Sequence, residues 1–393
     1  MQYRVDQRSG NKLSVLGFGC MRLPRGVGGT DLKKTEQIIM QAIDKGVNYF
    51  DTAYLYAGSE QALGGVLAKN KVRDKVFIAT KLPIANCKSG ADFDRFFNRQ
   101  LESLQTDYVD YYLMHNVNNL EQWQQLCGWG IEDWIKRQKF GGRLRQVGFS
   151  FHGAREEFLK TLDSYDWDFC QIQYNYADES FQAGVTGLRR AAEKNIPVII
   201  MEPLLGGKLA NGLPKQAAEV FHRADPSLTP AAWGLRWLWN QPEVTVVLSG
   251  MNDGAQVEQN LQTACDSSPG MLSEREAEAY RRVVEIFKAT DKVPCTGCEY
   301  CMPCPQGVNI PACFASYNAS YSMGRVTGMI LYTTSTAANR DKRGTASLCI
   351  QCGKCEQHCP QSIGIRSSLN EVERRMEPFW YNWAMAYMRG RAR

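Results

Sequence analysis

Between residues 13 and 265 the chain repeats one pattern eight times: a short run rich in β-branched and aromatic residues, then a longer stretch of helical period. The runs are VLGFGC (15–20), VNYFDTA (47–53), KVFIATK (75–81), YVDYYLMH (108–115), LRQVGFS (144–150), FCQIQYN (169–175), IPVIIME (196–202) and VTVVLSG (244–250). Alternation of this kind is the pattern of βα units and a parallel sheet. One intervening segment, DLKKTEQIIMQAIDKG, gathers Ile38, Ile39, Ala42 and Ile43 on an apolar stripe, with Gly46 as the stop. Eight repeats predict an α/β fold closed as a (β/α)8 TIM barrel rather than an open doubly wound sheet. At 393 residues the chain has room for such a barrel, about 250 residues, and a small second domain.

The barrel is expected over residues 1–290. Its last helix is SEREAEAYRRVVEIFKAT (273–290), which opens with Ser273 and Glu276 in capping-box spacing. A boundary near 291 follows, with Val293-Pro294 and then the first of two cysteine groups. Between the groups, residues 314–348 predict a helix around SYSMGRVTGMILY, packed between or beside whatever the cysteines hold. The stretch from 366 to 393 reads as a basic, aromatic and partly helical tail that could fold back onto the barrel.

Eight of the 14 cysteines fall in those groups. Cys349, Cys352, Cys355 and Cys359-Pro360 match the C-x2-C-x2-C-x3-C-P run that ligates a [4Fe-4S] cluster, in which the fourth cysteine serves the neighbouring cluster. Cys295, Cys298, Cys301 and Cys304-Pro305 repeat it with one residue fewer before the last cysteine. The prediction is a small ferredoxin-like domain over 291–365 holding two [4Fe-4S] clusters. By the crossover rule one cluster takes Cys295, Cys298, Cys301 and Cys359, and the other takes Cys349, Cys352, Cys355 and Cys304. A pair of four-cysteine zinc sites or free thiols are the alternatives, although zinc usually uses two C-x2-C pairs per ion. Cys20, Cys87, Cys127, Cys170, Cys265 and Cys313 lack such spacing and are expected to be buried small hydrophobes or inert thiols.

Composition narrows the partners. With 46 basic against 41 acidic residues the charge is too mild to imply nucleic acid. No run of about 18 apolar residues and no secretory-type N-terminal segment occurs, so a cytoplasmic protein with no membrane span is expected.

Chemistry in an α/β barrel gathers at the C-terminal ends of the strands. There the sequence places Asp51 with Tyr56 in the following loop, Lys81, and His115, from three successive strands. Each alone has a plain explanation, as a cap, a solvated charge or a packed ring; together at corresponding positions they form a candidate site. The phosphate-binding loops of such barrels follow strands seven and eight. Here these are LLGGKL, with Gly206 and Gly207, and SGMNDGAQVEQNL, with Ser249 and Gly250.

The motifs DTAYLY, IATK and LMH resemble those of the aldo-keto reductases over about residues 10 to 265, and the two cysteine runs resemble the iron–sulfur-containing branch of that family. The resemblance implies an oxidoreductase that reduces a small-molecule carbonyl substrate with hydride from NADP or NAD in its reduced form. It makes Tyr56 the proton donor. A cation near a phenol favours the phenolate, so Lys81 would bring Tyr56 nearer working pH, Asp51 would hold Lys81, and His115 would orient the substrate oxygen. It also implies that Ser150 and Gln171 hold the nicotinamide amide and Asn260 the adenine. The family's basic residues for a 2′-phosphate fall on Gly250 and Gln256, its adenine-side glutamate on Gln259, its nicotinamide-stacking aromatic on Met201, and its asparagine after Ser150 on Phe151.

Clusters pass single electrons and nicotinamide passes hydride, so three readings follow. In the preferred one the barrel reduces a carbonyl compound and the clusters are structural or relay electrons. In the second, a ferredoxin-like electron-transfer protein is a further partner, and the clusters feed a flavin or substrate in the barrel. In the third, the chain is a non-catalytic electron-transfer or assembly protein, which the retained set of four argues against.

Overall fold

The computed structural model describes residues 1–333, 335–336, 343–379 and 381. Eight parallel strands close into a barrel: β1 (Leu16–Gly19), β2 (Tyr49–Asp51), β3 (Phe77–Leu82), β4 (Val109–Val117), β5 (Leu144–Phe151), β6 (Phe169–Gln173), β7 (Val198–Met201) and β8 (Val244–Ser249). Each pairs with the next in sequence, and β8 returns to β1 with Val247 opposite Leu16. All eight expected runs are strands. β3 continues one residue past Lys81 and β4 two past His115.

Helices α1 (Leu32–Asp44), α2 (Ser59–Asn70), α3 (Ala91–Leu104), α4 (Leu120–Gly128), α5 (Ile131–Phe140), α6 (Arg155–Asp163) and α7 (Gly184–Glu193) follow the strands. The Asp31 carboxylate caps α1 by accepting from the Lys34 N–H, and the predicted stripe of Ile38, Ile39, Ala42 and Ile43 is buried. Gly64 lets α2 approach α3, since a Cβ there would lie 2.5 Å from the Leu104 backbone. Trp123 and Trp134 are buried on α4 and α5.

The barrel interior is filled and shut at one end. Leu13, Tyr49, Tyr111, Phe169 and Val246 pack together inside it. A hairpin of strands Tyr3–Val5 and Lys12–Ser14 carries the buried Asp6, which accepts from the Tyr111 hydroxyl at 2.8 Å. Chemistry is therefore confined to the opposite mouth, where the strands end.

Contacts divide the chain into two compact units, one of Met1–Leu204 with Ala231–Ser273 and one of Leu205–Pro230 with Glu274–Arg393. The first contains the barrel strands, most of α9 (Pro230–Trp239), which follows α8 (Lys215–Ala224), and α10 (Gly254–Cys265). The second contains α8 and α11 (Glu274–Thr290), packed through the Phe221 and Tyr280 rings at 5.5 Å. It also contains the cysteine segment with α12 (Ile310–Ser322), α13 (Arg325–Thr333) and α14 (Ile365–Met376).

Two expectations need correction. The single helix expected around SYSMGRVTGMILY is two, because the chain turns at Gly324 with φ of 94° and Gly328 packs against Ser320. Among the non-cluster cysteines Cys20, Cys87, Cys170 and Cys313 are buried, but Cys127 is half-buried and Cys265 is exposed, since the end of α10 carries it on the solvent side. The tail beyond Tyr381 lies outside the described residues. Among those described, no helix is long and apolar enough to cross a membrane.

Candidate functional site at the barrel mouth

Asp51, Tyr56, Lys81 and His115 come together. The Lys81 ammonium donates to both Asp51 carboxylate oxygens, at 2.7 and 2.8 Å, and to the Thr52 carbonyl at 2.7 Å. Only 1% of the Lys81 side chain and 4% of the Asp51 side chain are exposed, so the pair is insulated from water. The same ammonium lies 5.0 Å from the centroid of the Tyr56 ring. His115 meets that ring edge-on, with centroids 5.9 Å apart and planes at 85°. Tyr56 itself sits in a tight turn, its N–H donating to the Ala53 carbonyl and its carbonyl accepting from the Ser59 N–H, both at 3.0 Å. Half-buried at the head of α2, it is held between Lys81 and His115 while open to the mouth.

Burial dominates the electrostatics. It pushes the Asp51 carboxyl up, and the Lys81 charge works against that rise. The His115 imidazole is held well below its ordinary range by burial first, then by the Lys81 charge and by His152. A neutral ring at physiological pH can donate one N–H to an oxygen without competing with Lys81 for Asp51.

Three groups escaped the sequence reading. His152, directly after β5, is buried, and burial depresses it to about 4. Asn116, on β4 one residue past His115, takes a φ of 62° and donates its N–H to the Ser150 hydroxyl at 2.8 Å. Behind Lys81, the buried Glu60 accepts from the Thr80 hydroxyl at 2.6 Å and the Gln100 amide at 2.8 Å, and Gln100 also donates to the Lys81 carbonyl at 3.0 Å. Glu60 carries no motif that would suggest the link; only its place on α2, against β3 and α3, makes the contact.

The nucleotide candidates separate into three groups. Ser150 and Gln171 are directly opposite in the β5–β6 register, and both are buried. The Gln171 Oε1 is buried with no hydrogen-bond partner among the described residues, which leaves an acceptor waiting beside the Ser150 hydroxyl. At the end of β8, the Asn260 amide on α10 donates to the Ser249 hydroxyl at 3.0 Å, next to Gly250. Gly206 and Gly207 form a left-handed turn after β7, with φ of 67° and 99°, and by its contacts that loop belongs to the second unit, where Lys208 pairs with Asp291 at 2.6 Å. Phe151 is fully buried against Phe158, in the layer between strand and helix.

In the second unit the cysteines line two cavities. Cys295, Cys298, Cys301 and Cys359 border one; Cys304, Cys349, Cys352 and Cys355 border the other, with Cys301 reaching its edge. Burial raises the Cys301 thiol to about 12, and Cys295, Cys298 and Cys359 add to the rise. The Cys355 thiol is raised by burial, with smaller contributions that include Cys349 and Cys304. The last cysteine of each run therefore faces the other run's group. Among the described residues no three Cys, His, Asp or Glu side chains are grouped as for a single metal ion. Cysteines spread around a cavity suit a polynuclear cluster, whose ligands must stand farther apart than those of one tetrahedral ion.

Residues 15–268 match the aldo/keto reductase family. The chain belongs to that family. Residues 294–363 of this aldo/keto reductase match the 4Fe-4S dicluster domain. L-galactose dehydrogenase of Arabidopsis thaliana is 27% identical over 70% of this chain and 94% of its own length. Protein REDOX 2 of Catharanthus roseus is 27% identical over 60% and 77%. In fold, the chain is similar to an aldo-keto reductase from Bacillus halodurans in its holo form, with TM-score 0.60 and 24% identity over 72% of this chain and 96% of that one. An aldo-keto reductase from Klebsiella pneumoniae in complex with NADPH gives TM-score 0.58 and 22% identity over 72% and 95%. The protein is thus an oxidoreductase of aldo/keto reductase type carrying a 4Fe-4S domain.

Proposed function

We propose that the barrel reduces an aldehyde or ketone to the alcohol, with Tyr56 as proton donor. The observation that carries this reading is the Lys81 ammonium, fixed by Asp51 and lying over the Tyr56 ring. When the carbonyl oxygen gains negative charge, the Tyr56 hydroxyl gives it a proton. The Lys81 charge favours the phenolate left behind, and Asp51 keeps Lys81 in place. His115, neutral and edge-on to Tyr56, donates an N–H to the same oxygen and orients it. NADPH or NADH, when bound, would supply hydride to the carbonyl carbon. The unpaired Gln171 Oε1 and the adjacent Ser150 hydroxyl suit the amide of a nicotinamide, which offers both a donor and an acceptor. Ser249, Gly250 and Asn260 would take the nucleotide's other end.

The two cysteine cavities would each hold one [4Fe-4S] cluster, on Cys295, Cys298, Cys301 and Cys359 and on Cys304, Cys349, Cys352 and Cys355. Their role would be structural or electron-relaying, and in the second case an electron-transfer protein would be their partner.

The test is nucleotide oxidation by anaerobically purified protein with a panel of carbonyl compounds. Tyr56→Phe should lower turnover by about 10²- to 10⁴-fold while nucleotide affinity is kept. Turnover unchanged in that variant removes the assignment. An equimolar flavin extracted from the same sample would support the second reading, in which the clusters exchange electrons with a flavin in the barrel.

A further inference from the structure

The two cysteine runs share one backbone template and differ in charge. In each, the residue before the second cysteine and the residue after it take positive φ: Gly297 at 68° and Glu299 at 65° in the first, Gln351 at 59° and Gly353 at 76° in the second. Their side chains can therefore be compared position by position.

Where the first run has Gly297, the second has Gln351, whose Nε2 donates to the Cys349 Sγ at 3.6 Å and to the Asn370 Oδ1 at 2.9 Å. Where the first has Tyr300, the second has Lys354, an exposed ammonium on the rim of its cavity. The difference reverses directly after the second cysteine of each run. The first run carries the Glu299 carboxylate on its cavity wall, and the second has Gly353. The acid that the second run does carry, Glu356, is tied to Arg366 at 2.8 Å and so adds no net charge. Surroundings differ in the same sense. The first cavity is walled by Phe314, Ile363 and Ile365, whereas Cys352 of the second is exposed.

Reduction adds one negative charge to a cluster that is already anionic. A donor on a ligand sulfur, a nearby ammonium and access to water all favour the reduced form, while a nearby carboxylate and an apolar wall oppose it. The Gln351 donor, the Lys354 ammonium, the exposure of Cys352 and the Glu299 carboxylate opposite therefore act in one direction. We infer that the sites are redox-inequivalent: the cluster of Cys304, Cys349, Cys352 and Cys355 has the higher potential, and an electron taken up by this unit rests there. The inference depends on the reading that both cavities hold [4Fe-4S] clusters.

The experiment is an EPR-monitored titration of the full chain with dithionite and redox mediators, on protein whose iron and sulfide have been measured. The expected result is two one-electron steps separated by at least tenfold in equilibrium constant, which is about 59 mV for one electron. Gln351→Gly suits the positive φ and removes the donor, and it should lower the upper step alone. Glu299→Gln should raise the lower step alone. Coincident steps, or Gln351→Gly moving the lower step, overturn the inference while leaving the clusters in place. Iron and sulfide short of two clusters per chain overturns the two-cluster reading and the inference with it.

Discussion

Replacing Lys81 by methionine keeps most of the stem's volume and deletes only the charge, so it isolates the electrostatics of the mouth. The ammonium makes three hydrogen bonds of 2.7 to 2.8 Å, two to Asp51 and one to the Thr52 carbonyl, with no solvent to replace them. Removing one partner of a buried ion pair costs about 3–5 kcal/mol, because the other charge stays behind without compensation. The loss must depend on pH. Without Lys81, the folded-state pKa of Asp51 stands above its unfolded value of about 3.9. The folded variant then binds the proton more tightly than the unfolded chain. The part of its penalty that comes from the Asp51 charge is therefore absent below about pH 4, grows as pH rises, and levels off above the folded pKa. Denaturant unfolding followed by the fluorescence of the buried Trp123, Trp134 and Trp167 reports on the barrel. Adding Asp51→Asn to Lys81→Met should recover about 2–3 kcal/mol at neutral pH, the coupling expected of groups in direct contact. A single variant less than about 1 kcal/mol below the parent, or a penalty flat between about pH 4 and 8, would refute the buried-pair reasoning.

Two further predictions concern other parts of the chain. His152 is depressed from 6.5 to about 4, so its contribution to stability is complete above the unfolded pKa and is lost as pH falls toward the folded one. At about 1.36 kcal/mol per unit this amounts to roughly 3 kcal/mol, and His152→Gln should flatten that acid limb in a pH series of unfolding curves; an unchanged limb would place the acid sensitivity elsewhere. In the second unit the core of Val308, Ile310, Phe314, Ile365 and Val372 has Cys295, Cys301, Cys304, Cys349, Cys355 and Cys359 packed against it. Oxidative removal of iron with ferricyanide and a chelator should therefore raise amide hydrogen exchange in α12 and leave β3 and β4 unchanged. Equal protection in α12 before and after would show that the metal does not support this core.

Much of the fold was legible because its signals are local. Strands buried on both faces read as short continuous apolar runs, so all eight could be located to within a few residues. The four mouth residues were legible because a barrel with strands of known order turns position at a strand end into position in space. The cysteine runs were legible through spacing alone, which a cluster's size dictates.

What remained hidden depends on partners distant in sequence. His152 sits next to a strand end and carries no motif, and its depressed pKa comes from burial that the assembled barrel creates. Glu60 reaches Lys81's strand only because α2 packs over β3, which brings Thr80 and, 40 residues on, Gln100 to one carboxylate. The split of α12 from α13 turns on the packing of Gly328 against Ser320. The sequence by itself determined which strands exist, their order and which thiols travel together, since those follow from periodicity and reach along the chain. Only the tertiary structure decided which charges are stripped of water and which side chains face each cavity, because desolvation belongs to the packed assembly and not to any segment of it.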